Sequence, residues 1–282
     1  MVDDVMTAGE RAMSGFLQIS SMQNPRIKQL LQFQQKSSER RKAGVFVVEG
    51  RRELQHCVEA GFTVLSVFFC PELLGESDTS LSSLFQLPGV QYMEVTAKVY
   101  EKIAYRGSTE GVVAEVKVRQ LQLEDLALSD RALVVVLESV EKPGNLGAVL
   151  RSADASAADA VIICDPLTDL FNPNLIRSSV GAVFSVPCVA CSSEQCVRFL
   201  QDRGIQILTA QLQDSSPYYD IDMTKSTALV MGTESTGLTP LWRKAANAHI
   251  RIPMLGKIDS LNVSVSTAIL LFEAVRQRQT LR

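Results

Sequence analysis

Six consecutive apolar residues, Ala132 to Leu137 (ALVVVL), constrain this chain more than any other stretch. A strand with one face in water alternates polar and apolar residues, so an unbroken run demands burial on both faces, as in the middle of a parallel sheet. Glu141-Lys142-Pro143-Gly144 ends the run, Asn145 is placed to cap, and a helix is expected to about Ala157, with Leu146, Val149, Leu150 and Ala153 as its core stripe. A second buried run follows at Ala160 to Cys164. Strand, helix, strand of this kind is a βαβ unit. Similar signals place strands at 184–187, 205–210 and 227–231 and a helix at 194–202, with 211–225 as a polar loop. The fold class expected for 132–282 is α/β with a parallel sheet.

The front of the chain reads differently. Residues 1–20 mix Met, Asp, Gly and Ser without a period and are expected to be a poorly ordered extension. From Asn24 a helix opens with Pro25 at its first position and Ile27, Leu30, Leu31 and Phe33 as its apolar residues. Short strands at 46–48, 64–69, 91–95 and 111–118 then alternate with helices at 51–60, 81–85 and 97–104, a small α/β module over 21–118. The polar stretch 119–131 reads as a linker.

Composition narrows the function classes. No run of about eighteen apolar residues and no signal peptide is present, so a cytoplasmic protein without membrane contact is expected. The formal charge of −3 is unevenly spread. Arg26, Lys28, Lys36, Arg40, Arg41, Lys42, Arg51 and Arg52 face only Glu39 and Glu49 between Met22 and Arg52. That excess fits either a nucleic-acid footprint or a solvated face. Cys188, Cys191 and Cys196 have no fourth Cys or His after them, and structural zinc wants four ligands. No metal is expected, and the cysteines read as reduced thiols, mostly buried.

Four segments carry candidate chemistry. In the helix after Ala132–Leu137, Gly147, Arg151 and Asp154 share a face away from the core. Arg151 either pairs with Asp154 or faces a substrate, for which Gly147 would leave room. After Thr227–Met231 comes Gly232-Thr233-Glu234-Ser235-Thr236-Gly237, two glycines at a strand's C-terminal edge. It is neither a dinucleotide fingerprint nor a P-loop. Near the C-terminus, Asp259, Ser260 and Asn262 precede a helix whose apolar stripe is Val265, Ile269, Phe272 and Val275. They are N-caps, or they belong to a ligand loop at a helix N-terminus. Arg177, in R-S-S-V-G-A, is a phosphate contact or a salt-bridge partner.

The strings N-L-G-A-V-L-R-S-A, G-T-E-S-T-G and I-P-M-L-G-K-I-D-S-L-N-V-S-V, in that order, resemble the three motifs of the SpoU (TrmH-like) RNA 2′-O-ribose methyltransferases of the SPOUT superfamily. The NPRIK…ERRKAGVFVVEG stretch resembles the L30e-like RNA-binding domain that precedes the catalytic domain in several of them. The sequence departs at Ser156, Ala157 and Ala158, where an aromatic and a glycine are frequent. The resemblance implies a deep C-terminal trefoil knot, an obligate homodimer, and S-adenosylmethionine held at Gly232, Ile252, Met254 and Leu261. It implies an active-site set of Asn145, Arg151, Glu234, Ser260 and Asn262, and an rRNA or tRNA acceptor contacted by Arg26, Lys28, Arg40, Arg41, Lys42 and Arg177. A non-catalytic RNA-binding or ribosome-assembly protein on the same fold is the alternative. A guanidinium stays protonated in proteins, so Arg151 suits phosphate fixation and alkoxide stabilisation better than proton abstraction.

Overall fold

A computed structural model of the chain describes residues 16–74, 86–105, 110–233 and 235–279. They fall into two compact units, Met1–Arg119 with Phe171–Pro173, and Gln120–Leu170 with Asn174–Arg282.

The front unit is built on a five-stranded mixed sheet. Its strands are β1 (Leu17–Ile19), β2 (Val45–Glu49), β3 (Val64–Phe69), β4 (Gln91–Val95) and β5 (Val112–Lys117), in the order β1-β4-β3-β5-β2. β4 runs parallel to β1 and β3, whereas β5 is antiparallel to both its neighbours. Helix α1 (Pro25–Gln35) starts where the sequence says it should: the Asn24 side chain accepts from the Arg26 amide at 2.9 Å, and Ile27, Leu30 and Phe33 are buried. The short helices α2 (Ser37–Ala43), α3 (Arg51–Glu59), α4 (Pro71–Leu74) and α5 (Ala97–Ile103) complete the unit. β1 stands where a poorly ordered extension was expected. It buries only Ile19, beside β4, and three residues are too few for a period to be read. The helix expected at 81–85 lies outside the described residues.

The second unit carries seven strands, every neighbouring pair parallel, in the order β10-β12-β9-β11-β6-β7-β8. They are β6 (Leu133–Glu138), β7 (Ala160–Cys164), β8 (Cys188–Cys191), β9 (Gln206–Ala210), β10 (Ser216–Pro217), β11 (Thr227–Met231) and β12 (Ala248–Arg251). All residues of β6, β7 and β11 are buried, as the unbroken apolar runs require. The helices are α6 (Pro143–Ala155), α7 (Pro173–Ser179), α8 (Ala182–Ser185), α9 (Ser193–Asp202), α10 (Pro240–Ala245) and α11 (Val263–Gln279). The chain leaves β6 for β7 and β8 on one side, then crosses to β9 and β11 on the other. The strand order therefore reverses between β6 and β11, where open parallel sheets place ligands beyond the strands' C-terminal ends.

Four expectations are corrected here. The supposed linker 119–131 belongs largely to the second unit: Leu123 and Leu126 are buried in its core, and Leu121 bridges Val189. Leucines scattered among polar residues hide such packing. No strand forms at 184–187. Gly181, at φ 86°, turns the chain into α8, and the edge strand starts after Pro187. Asn145 is not the cap of α6, because Pro143 opens the helix with Lys142 as N-cap. In α11 the buried face is Val263, Thr267, Leu270, Leu271 and Ala274, turned against α6 and β11. Val265 and Phe272, expected in the core, are 47% and 49% exposed. Both stripes have helical spacing, and spacing alone does not say which one meets the sheet.

The departure after the first motif has a visible consequence. Ala157 follows the end of α6 at φ 51°, the left-handed conformation that glycine adopts without strain.

Candidate active site

Beyond the C-terminal ends of β6 and β11 lies a cleft of about 200 Å³, lined by Val140, Glu141, Lys142, Asn145, Gly232, Thr233, Ser235 and Val263. It gathers the turn after β6, the first turn of α6, the loop after β11 and the start of α11. At that size it accepts part of a ligand, small-molecule sites running to about 300–1,000 Å³.

Two of the sequence-predicted residues meet directly. Asn262 Nδ2 donates to Asn145 Oδ1 at 3.2 Å, across 117 positions of chain. The same Asn262 caps α11, its Oδ1 accepting from the Ser264 amide at 3.0 Å and from Ser264 Oγ at 2.6 Å. Asn262 thus caps the helix with one end of its side chain and meets Asn145 with the other. Ser260 is exposed, and its hydroxyl donates to Asp259 Oδ1 at 3.2 Å. Glu234 lies outside the described residues.

Arg151 is exposed on α6, with no ion-pair or hydrogen-bond partner among the described residues. Asp154, its expected partner, instead accepts from Ser185 Oγ at 2.7 Å. The bland reading of Arg151 thereby loses its partner. Gly147 does not leave room for a substrate. A Cβ there would stand 1.9 Å from Ser178 Oγ and 2.8 Å from the Ser179 amide nitrogen, so the missing side chain lets α7 pack against α6. Gly232 is likewise required by the protein itself. A Cβ would fall 2.4 Å from the Gly237 carbonyl carbon, where the loop folds back through the Thr233–Gly237 bridge. Gly232 still lines the cleft, whereas Ile252, Met254 and Leu261 are half-buried on the segment from β12 to α11 and are not among its lining residues.

A buried polar network behind the cleft had no signature in the sequence. Glu138, at the end of β6, is 3% exposed and accepts from the Thr239 amide at 2.9 Å and from Thr239 Oγ1 at 2.7 Å. Ser193 Oγ donates to Asp165 at 2.6 Å and accepts from Trp242 Nε1 at 3.2 Å. Together they fix the exit of the glycine loop onto α10. A lone Glu ending an apolar run was the only available hint.

In the front unit the basic run is only partly available. Arg40 is 3% exposed, its guanidinium donating to the carbonyls of Phe33 at 2.5 Å and Gln34 at 3.2 Å, which contradicts its assignment to RNA. Arg26 is held by Glu115 at 3.2 Å. Lys28, Arg41 and Lys42 are exposed, as is Arg177 in the second unit. At the C-terminus, Arg278 donates to the carbonyls of Arg131, Ala132, Met223 and Lys225, tying the end of α11 to the start of the unit.

A parallel α/β unit with a glycine loop and an Asn-capped helix converging at the point of strand reversal belongs to the class of open α/β proteins that bind ligands there. Comparison with known proteins makes this specific. Residues 132–272 match the SpoU rRNA Methylase family, and residues 24–114 match the MRM3-like substrate binding domain. The chain belongs to the SpoU rRNA methylase family, and so to the RNA 2′-O-ribose methyltransferases, with S-adenosylmethionine as cofactor. It is 35% identical over 207 residues to the 23S rRNA (guanosine-2′-O-)-methyltransferase RlmB of Xanthomonas axonopodis pv. citri, covering 71% of this chain and 83% of that one. With the 23S rRNA (guanosine(2553)-2′-O)-methyltransferase RlmP of Bacillus subtilis it shares 29% over 255 residues, 90% of this chain and 98% of the other. Among solved structures, the AdoMet-bound rRNA methyltransferase from Sinorhizobium meliloti superposes with a TM-score of 0.83 at 30% identity, over 92% of this chain and 97% of that one.

Proposed function

We propose that this chain transfers the methyl group of S-adenosylmethionine to the ribose 2′-oxygen of a guanosine in 23S ribosomal RNA. The observation that carries the reading is the Asn145–Asn262 hydrogen bond at a cleft lined by Gly232, Asn145 sharing its helix with the exposed Arg151, which has no partner among the described residues. Support for the acceptor comes from relatives at about one-third identity that are named as 23S rRNA guanosine methyltransferases.

The cofactor supplies a sulfonium methyl that is already electrophilic, so the protein's task is placement, charge stabilisation and exclusion of water. The backbone at Gly232, with Ile252, Met254 and Leu261 on the segment from β12 to α11, would hold the cofactor. Asn145 and Asn262 orient the ribose, each with its amide geometry fixed by the other. Arg151 would bind the adjoining phosphate and stabilise charge on the 2′-oxygen, whose proton is released in the end to solvent while the cofactor departs as S-adenosylhomocysteine. Glu234 and Ser260 complete the polar set. The front unit acts as an L30e-like RNA substrate-binding domain over 21–118, with Lys28, Arg41 and Lys42 as phosphate contacts, and Arg177 contacts phosphate from the second unit.

Two further features belong to the same proposal. The segment after β12 threads a deep trefoil knot, a connection that ordinary chains avoid. The exposed Val265 and Phe272 of α11 are covered by a second copy of the chain, consistent with an apolar stripe left outside the core.

Mapping of 2′-O-methyl groups by mass spectrometry, in RNA from cells with and without the gene, tests the acceptor. A single guanosine in 23S rRNA should lose its methyl group. Loss confined to tRNA would overturn the acceptor while keeping the reaction.

A further inference from the structure

We propose that Cys164, Cys191 and Cys196 form a three-sulfur site for a thiophilic d¹⁰ metal ion at the C-terminal edge of the β7–β8 pair. None of the three lines the cleft between β6 and β11. The three sulfur atoms lie within 4.8 Å of one another. Cys164 ends β7 and Cys191 ends β8, and the two are partners in the parallel register, so their side chains leave the sheet on one face. Cys196 reaches them from the first turns of α9. The Cys188-Cys191-Cys196 spacing pointed to the wrong trio, because the third sulfur comes from a neighbouring strand that only the folded sheet brings close.

The donors are preorganised. Ser192 caps α9 through a reciprocal pair, its Oγ accepting from the Gln195 amide at 3.2 Å and its amide donating to Gln195 Oε1 at 2.9 Å. This capping box fixes both the residue after Cys191 and the residue before Cys196. The Asp165 amide donates to the Cys191 carbonyl at 2.9 Å, and the Asp165 carboxylate accepts from Ser193 Oγ, which ties together the backbone around the sulfurs. Cys164 and Cys196 are fully buried, whereas Cys191 is half-buried and gives an ion a way in.

Thiolates are soft ligands that select ions such as Zn(II), Cd(II) and Cu(I). A metal–sulfur bond of about 2.3 Å sets neighbouring sulfurs roughly 4 Å apart, within the spread seen here. Among the described residues no fourth His, Cys, Asp or Glu joins the group, so the protein supplies three donors and any fourth ligand is water. Binding exchanges thiol protons for the ion, with up to three protons released to solvent and no electron transferred.

Cadmium(II) is the probe for the test. Reduced full-length protein, titrated anaerobically with the metal salt alone, should develop sulfur-to-cadmium charge-transfer absorption saturating at one ion per chain, with release of protons. Cys191→Ser, chosen because its position is half-buried, should weaken binding at least ~10-fold with unchanged far-ultraviolet dichroism. Cys188→Ser should bind as wild type. Competition by Zn(II) and by Cu(I) then ranks the natural ions. No charge-transfer band at one equivalent, a band untouched by Cys191→Ser, or one lost in Cys188→Ser would overturn the site.

Discussion

Asn262 illustrates how one side chain serves the fold and the chemistry with different atoms. Its Oδ1 caps α11, whereas its Nδ2 reaches Asn145. Asn262→Ala removes both functions and should cost about 0.5–2 kcal/mol of stability through the lost cap. Asn262→Asp retains an oxygen for the Ser264 amide and replaces the donor to Asn145 by an anionic oxygen. Its urea midpoint should stay near wild type while methyl transfer falls by a factor on the order of 10². Equal turnover in the two proteins would show that Asn262 merely caps the helix. Gly147 makes the complementary case of a motif residue with a packing role. Gly147→Ala forces its methyl into Ser178 and the Ser179 backbone, so overpacking should cost about 1–3 kcal/mol, read as a lowered urea midpoint at unchanged m-value. An unchanged midpoint would mean that α7 shifts freely and that Gly147 is not packing-limited.

Among elements, the basic surface of the front unit separates into structural and available charges. Arg40 closes the α1–α2 junction by capping the carbonyls of Phe33 and Gln34, so Arg40→Ala should lower the unit's stability by about 1.5–3 kcal/mol. The salt dependence of RNA binding should be untouched by that change. Arg41→Ala with Lys42→Ala should do the reverse, flattening the log–log salt slope by up to about two units with little change in melting temperature. A slope unaffected by the double variant would make these residues a solvated face. From the sequence alone these arginines were indistinguishable, because adjacent positions on a helix point to different surroundings and composition does not say which. The strands were far easier to read. Thr227–Met231 and Ala160–Cys164 have the bounds expected, since burial on both faces leaves an unbroken apolar run as its trace. α11 shows the limit of that logic. It carries two apolar stripes, and the sequence ranked Val265 and Phe272 above Leu270 and Leu271 as core. The Glu138 network and the Cys164 group were equally hidden, being contacts of strand ends with helix starts distant in sequence. The cleft was legible only as separate motifs, whose convergence depends on the order in which β11 and β6 pair.

At the scale of the whole molecule, Val265 and Phe272, exposed apolar residues on one helix, ask for a partner, and a second copy of the chain is the proposed one. If the proposed dimer forms through this stripe, Phe272→Asp should sediment as a monomer where wild type sediments as a dimer in analytical ultracentrifugation, with the far-ultraviolet spectrum retained. A wild-type chain that sediments as a monomer at micromolar concentration would remove the interface from the account. No helix among the described residues is long and apolar enough to cross a membrane.

In the proposed reaction, methyl transfer occurs at the cleft between β6 and β11 and depends on Arg151. Single-turnover transfer from labelled S-adenosylmethionine to 23S rRNA, with RNA saturating and the product mapped to the nucleotide, tests it most directly. Wild type should methylate one guanosine 2′-oxygen. Arg151→Ala should retain cofactor binding and lose about 10²- to 10³-fold in rate, roughly 2.7–4 kcal/mol of barrier. Arg151→Lys, which retains the charge without the planar fork, should recover only part of that loss. Full activity in Arg151→Ala, or a wild-type chain that binds the RNA without methylating it, would contradict the account.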